Sequence, residues 1–119
     1  TITNAVTFSN TGTLTLGRGG GTLTYTAGVT ATAPSSKTVA GTISAAGTGV
    51  IDFGTSATSV TADATLGGTS TGQITLAGTT LADGVTLTLG AGAATPVTTG
   101  AVDNTTTANS SSLTIDTTA

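Results

Sequence analysis

The chain is predicted to be all-β, a repetitive β-solenoid of stacked rungs in preference to an antiparallel β-sandwich subunit with an exchanged terminal strand. Three observations predict this. Threonine fills 34 of 119 positions and alternates with apolar residues in GTLTLG (12–17), GTLTYTAGVTATA (21–33) and GVTLTLG (84–90). Period two marks a strand with one buried and one wet face, and a β-branched side chain with a stiff χ1 suits the pleat. No segment carries helical spacing over the roughly 11 residues that define an amphipathic helix. The large apolar residues (Leu, Ile, Val, Phe, Tyr) number 25 and alanine 18, so the core is thin and made of small side chains.

The strands follow in order. Ile2, Val6 and Phe8 share one face of the opening segment, and Leu14 and Leu16 then point inward between Thr13 and Thr15. The glycines of GRGGG (17–21) allow positive φ and a reversal, after which the phase flips. Leu23, Tyr25, Ala27, Val29, Ala31 and Ala33 are now inward, and the intervening threonines face out. APSSK (33–37) reads as a loop. Further inward sets are Val39, Ile43 and Ala45; Ile51 and Phe53; Val60, Ala62, Ala64 and Leu66; Ile74 and Leu76; Val85, Leu87 and Leu89; and Leu113 and Ile115. The stretch 98–112 lacks alternation and is expected to be a long exposed loop.

One domain is expected over 1–119, with repeat-like units starting near 12, 41, 72 and 111. GTISAAGTGVIDFGT (41–55) aligns with GQITLAGTTLADGVT (72–86) at an offset of 31 residues, matching Gly41 to Gly72, Ile43 to Ile74 and Asp52 to Asp83. The units GTLTLG, GTISAAGTGVIDFG and GQITLAGTTLADGVTLTLGAG resemble the Thr/Gly-rich β-strand repeats of bacterial surface proteins. Autotransporter passengers, filamentous-haemagglutinin-like adhesins and S-layer proteins carry such repeats. The resemblance spans about residues 11 to 92 and implies a non-enzymatic, extracellular role for a β-solenoid or β-sandwich.

Composition narrows the chemistry. The chain has no His, Cys, Glu, Met or Trp, so the usual general bases and thiol nucleophiles are missing and no catalysis is expected. The five aspartates (52, 63, 83, 103, 116) stand apart, without the clustered oxygen ligands that calcium needs. They read as turn residues, as in ADG (82–84) and VDN (102–104). No metal and no cofactor are expected. GRGGG lacks the lysine and helix of a phosphate-binding loop. The two basic residues, Arg18 and Lys37, cannot form the patch that nucleic acid requires. No apolar run reaches the roughly 18 residues of a membrane span. A chain that opens at Thr1 and contains no Met is expected to be a processed product, which removal of a secretory signal would fit, or a piece of a longer protein. Asn104-Thr105-Thr106 and Asn109-Ser110-Ser111 match the N-glycosylation sequon, so surface glycans are candidate partners.

The functional expectation is a structural subunit or repeat segment of an extracellular filament, surface layer or adhesin. A short β stack leaves unpaired edges, and pairing with further copies of itself would satisfy them. The candidate subunit contacts are Ile2, Val6, Phe8, Leu113 and Ile115. The competing expectation is a module that binds carbohydrate or ice through its threonine face. Carbohydrate sites favour an aromatic platform, and only Phe8, Tyr25 and Phe53 could supply one.

Overall fold

A computed structural model describes residues 1–105 and 110–117, which coil into a β-solenoid of five rungs. Rung one holds β1 (Val6–Thr7), β2 (Thr13–Leu16) and β3 (Thr22–Thr24). Rung two holds β4 (Gly28–Thr30) and β5 (Ser36–Ala45), and rung three holds β6 (Val50–Asp52) and β7 (Thr58–Gly68). Rung four holds β8 (Ile74–Thr75), β9 (Thr79–Leu81) and β10 (Thr86–Gly90). Rung five holds β11 (Val97–Thr98), β12 (Val102–Asn104) and β13 (Ser112–Asp116). Every pairing between these strands is parallel, which sets the antiparallel sandwich aside.

Each rung has three sides. Side one is the sheet β1-β4-β6-β8-β11. Sides two and three belong to one larger sheet, because β5 and β7 run on through the corner between them. The N-terminal half of β5 pairs with β2 and its C-terminal half with β3. The GRGGG segment is thus a corner between two sides of one rung and not a hairpin between partners. Gly17, Gly19 and Gly20 have positive φ there, and the Gly20 amide bonds the Gly17 carbonyl at 3.0 Å. A Cβ on Gly17 would lie 1.7 Å from the Ala40 carbonyl oxygen, so the corner requires glycine.

The repeat length differs from the expected 31 residues. Val6, Val29, Ile51, Ile74 and Val97 stack on side one at steps of 22 or 23. Ile43 pairs with Leu66 on side three, whereas Ile74 pairs with Ile51 on side one. An offset of 31 is one rung plus one side. All three sides share the grammar of a short alternating strand followed by glycine, so the alignment matched sides of different rungs.

Parallel pairing puts partners on the same face of the sheet, so inward residues form columns along the stack. Ile43, Leu66 and Leu89 form one such column, and Ala31 and Phe53 lie in the core two residues on from Val29 and Ile51. These side chains are fully buried, as are Val39, Val60 and Leu87. Three inward expectations fail for a common reason. Ala27, Ala33 and Ala62 are exposed because they stand at corners, where alternation is interrupted. At Ala62 the register slips: Val39 faces Val60, but Gly41 faces Ala64.

The segment expected to be a loop at 98–112 contains β12, and the one expected at 33–37 gives way to β5 at Ser36. Corners are closed by hydroxyls as well as by glycine. Between sides three and one, buried Ser70 donates to the Gly49 carbonyl at 2.6 Å, and buried Thr95 donates to the Ser70 carbonyl at 2.7 Å. These two side chains link the corners at 47–49, 70–72 and 95, and each satisfies a turn carbonyl without water.

Candidate interaction surfaces: the two ends, the threonine ladder and the corner groove

The ends of the stack are where the core is unfinished. β13 pairs only with β10, β12 only with β9 and β11 only with β8. β1 pairs only with β4, while β2 and β3 pair only with β5. Each end therefore presents three strands with no further strand paired on their outer side among the described residues, although the Thr24 carbonyl accepts from the Ile2 amide at 2.8 Å where Ile2 bridges to Tyr25.

The apolar columns stop at the same places. Leu87 and Leu89 are fully buried, yet their partners Leu113 and Ile115 are 39% and 54% exposed. They point into the solenoid, and no further rung covers them among the described residues. At the other end Ile2 is 47% exposed and forms a single bridge to Tyr25. Val6 and Phe8, the remaining candidate contacts, are partly buried against the core. Phe8 packs edge-on to Tyr25 at 6.5 Å between ring centroids. Burial of Tyr25 raises its hydroxyl pKa above the ordinary 10.0. The five candidates thus divide into three exposed side chains, on opposite ends, and two that mainly close the N-terminal end.

Of the two sequons, Asn104 is exposed on β12 at the C-terminal edge. Asn109 lies outside the described residues. The aspartates do not converge: no group of three metal-ligating side chains exists among the described residues. Asp52 accepts from the Gly54 amide at 2.8 Å in a turn, and Asp83 stands exposed in the turn before Gly84. Asp63 accepts from the Thr86 amide of the next rung at 2.8 Å. Asp103 and Asp116 lie in β12 and β13, so VDN is a strand rather than the expected turn. No helix among the described residues is long and apolar enough to cross a membrane.

Outward threonines align more strictly than their sequence spacing suggests. Thr22, Thr42, Thr65, Thr88 and Thr114 are successive partners on side three, one per rung. The adjoining positions are mixed. Thr24, Ser44, Gly67, Gly90 and Asp116 follow on one side, and Asp63, Thr86 and Ser112 on the other. The Thr86 and Ser112 hydroxyls bond each other at 3.0 Å.

Two features were missed in the sequence. Lys37 is an inward residue of β5, only 1% exposed, and its ammonium donates to the Pro34 carbonyl at 3.4 Å and to the Ser56 hydroxyl. Burial lowers its pKa, and the nearby charge of Asp52 opposes that shift. The signal was the alternation itself: Lys37 is in phase with Val39. Below it in the column are Thr58 and Thr79, both buried, and the Thr58 hydroxyl has no hydrogen-bond partner among the described residues. The second feature is a groove of about 440 Å³ at the corner between sides two and three, with Arg18 on its rim.

Comparison with known proteins finds no matching family model, no matching curated protein and no matching solved structure.

Proposed function

We propose that this chain is a structural subunit or repeat segment of an extracellular filament, surface layer or adhesin, extended by stacking rung on rung with further copies. The observation that carries the reading is the pair Leu113 and Ile115, inward side chains that continue a buried column and are left uncovered. Fully burying a Leu or Ile side chain is worth about 1.5–3 kcal/mol, so covering these half-exposed ones gains roughly 2 kcal/mol together. The N-terminal edge of another copy offers the same three-sided outline with Ile2, Val6 and Phe8 at its open end. Such a contact is heterologous, and a heterologous contact that does not close yields a fibre or lattice. The thin side-chain set and hydroxyl-covered outer faces suit building material better than catalysis. The likeness of the repeats to those of bacterial surface proteins supports the extracellular assignment.

Negative-stain microscopy and sedimentation velocity test this directly. Purified chain should give rods whose axial repeat is about five strand spacings of roughly 4.8 Å. Leu113→Lys with Ile115→Lys should leave a folded monomer. A wild-type chain that stays monomeric at every concentration would remove the reading. A glycan on Asn104, at the edge of β12, would oppose stacking, so enzymatic deglycosylation should promote assembly of any glycosylated material.

A second reading, recognition of ice or of carbohydrate by the threonine face, is supported by the five-residue ladder on side three. Its test is thermal hysteresis, or retention on crystalline polysaccharide, lost on Thr65→Lys at the centre of the ladder.

A further inference from the structure

Corners of unequal size build a groove on the outside of the solenoid. Rung one turns from β2 to β3 through the five residues 17–21. Rung two turns inside β5, at Ala40 and Gly41, with no loop. Rung three carries the register slip between Val60 and Ala64. The compact corner of rung two is therefore set back between two fuller ones. Thr15, Arg18 and Gly19 form the upper wall, Thr38 and Ala40 the floor, and Thr61 and Ala62 the lower wall. A volume of about 440 Å³ is within the usual range for small-molecule sites.

Its chemistry is unlike the rest of the surface. The chain has two basic side chains and a net charge of -3. Lys37 is buried, which leaves Arg18 as the one exposed basic side chain, and it stands at this groove. A guanidinium presents a planar fork of donors that matches a carboxylate. Thr15 and Thr38 are partners on adjacent strands, so their hydroxyls repeat at about one strand spacing, roughly 4.8 Å. Thr61 adds a hydroxyl from the opposite wall, and exposed Ala62 supplies a small apolar patch, whereas Ala40 on the floor is buried.

We propose that the groove binds a carboxylate-bearing sugar, one uronic acid residue of a polysaccharide. The carboxylate pairs with Arg18, the ring hydroxyls exchange hydrogen bonds with the three threonines, and the C–H face of the ring lies on Ala62. One cation is too few to hold a polyphosphate backbone. The row of hydroxyls gives a polyol more partners than it gives an acidic peptide. The upper wall belongs to rung one, at the N-terminal end of the stack, but all the lining comes from a single chain, so the site is complete without assembly.

The test is an amide-detected NMR titration, made on a Leu113→Ser/Ile115→Ser variant, which opposes assembly without adding a cation, so that failure of assembly and failure of this site are read separately. The probes are an oligogalacturonate, the neutral oligogalactose of equal length and a short poly-aspartate. Oligogalacturonate should shift the amides of Thr15, Arg18, Gly19, Thr38 and Ala62, and the neutral oligomer should bind about tenfold more weakly. Arg18→Gln should weaken binding by a similar factor and Arg18→Lys by less. At exposed Ala62, Ala62→Glu should abolish the response and Ala62→Lys should strengthen it. Shifts spread over other faces, or equal binding of the neutral oligomer, would overturn the proposal. Tighter binding of poly-aspartate would also overturn it, by making the groove a peptide site.

Discussion

Side three of rung four and side three of rung five are nearly the same sentence written twice. Thr86-Leu87-Thr88-Leu89-Gly90 pairs residue for residue with Ser112-Leu113-Thr114-Ile115-Asp116. In the first, both apolar side chains are fully buried; in the second they are 39% and 54% exposed. Local sequence, strand geometry and inward direction are shared, so none of these accounts for the difference. Coverage does. Each rung is closed by the rung after it, and burial in a solenoid is a nearest-neighbour property. The last described rung has the same alternation as the one before it, and its inward Leu113 and Ile115 are left exposed.

The largest effect that could break this comparison is in the middle. Leu89→Ala should cost about 2–5 kcal/mol in chemical denaturation, because the cavity is flanked by rungs on both sides and cannot collapse. Ile115→Ala should cost about 1 kcal/mol or less in the monomer, since half of that side chain is already wet. Equal losses at the two positions would mean that coverage by the next rung is not what separates them. The same Ile115→Ala should slow or prevent assembly, which Leu89→Ala should affect only through unfolding.

A smaller effect sharpens the comparison from the polar side of the core. Lys37 holds a charge in the core of rung two, where the Pro34 carbonyl and the Ser56 hydroxyl accept from it and the charge of Asp52 is nearby. Lys37→Met keeps the volume and removes the desolvation cost, and Ser56 still donates to the Pro34 carbonyl. We expect a gain of roughly 1 kcal/mol at neutral pH, measured by the same denaturation. The pH dependence fixes the cause. Burial sets the folded pKa of Lys37 below its ordinary value of 10.5, so between the two values the unfolded chain binds more protons. Stability of the wild type should therefore rise with pH through that window, whereas Lys37→Met should stay flat. The scan should stop near pH 10, because Tyr25, with its pKa raised by burial, then contributes the opposite slope. A flat wild-type profile would show that the ammonium is adequately solvated where it sits.

Much of the solenoid was legible residue by residue. Alternation placed Val39, Ile43, Ile51, Phe53, Leu66, Leu87 and Leu89 inward, and all seven are buried. It failed where the chain turns a corner, at Ala27, Ala33 and Ala62, because a corner residue belongs to neither strand's phase. The candidate surfaces were less legible. Ile2, Leu113 and Ile115 could be named as apolar residues near the termini, but their exposure depends on which strands stack above and below. The Arg18 groove could not be read at all, since it arises from three corners that are about 20 residues apart in the chain and neighbours in space.

What the sequence determined by itself was the material: strands of threonine and small apolar residues, punctuated by glycines, many of which take positive φ at the corners. Period two is a local property, set by χ1 stiffness and the pleat, and it survives without any knowledge of partners. What only the tertiary structure decided was the period of the coil and everything that hangs on it. Three sides with one grammar make sequence offsets of a side, a rung or their sum look alike. The hydrogen-bond register chooses among them, because it alone brings Ile51 onto Ile74 and Leu89 onto Ile115. That choice leaves the last column open and sets the rung-two corner back behind Arg18.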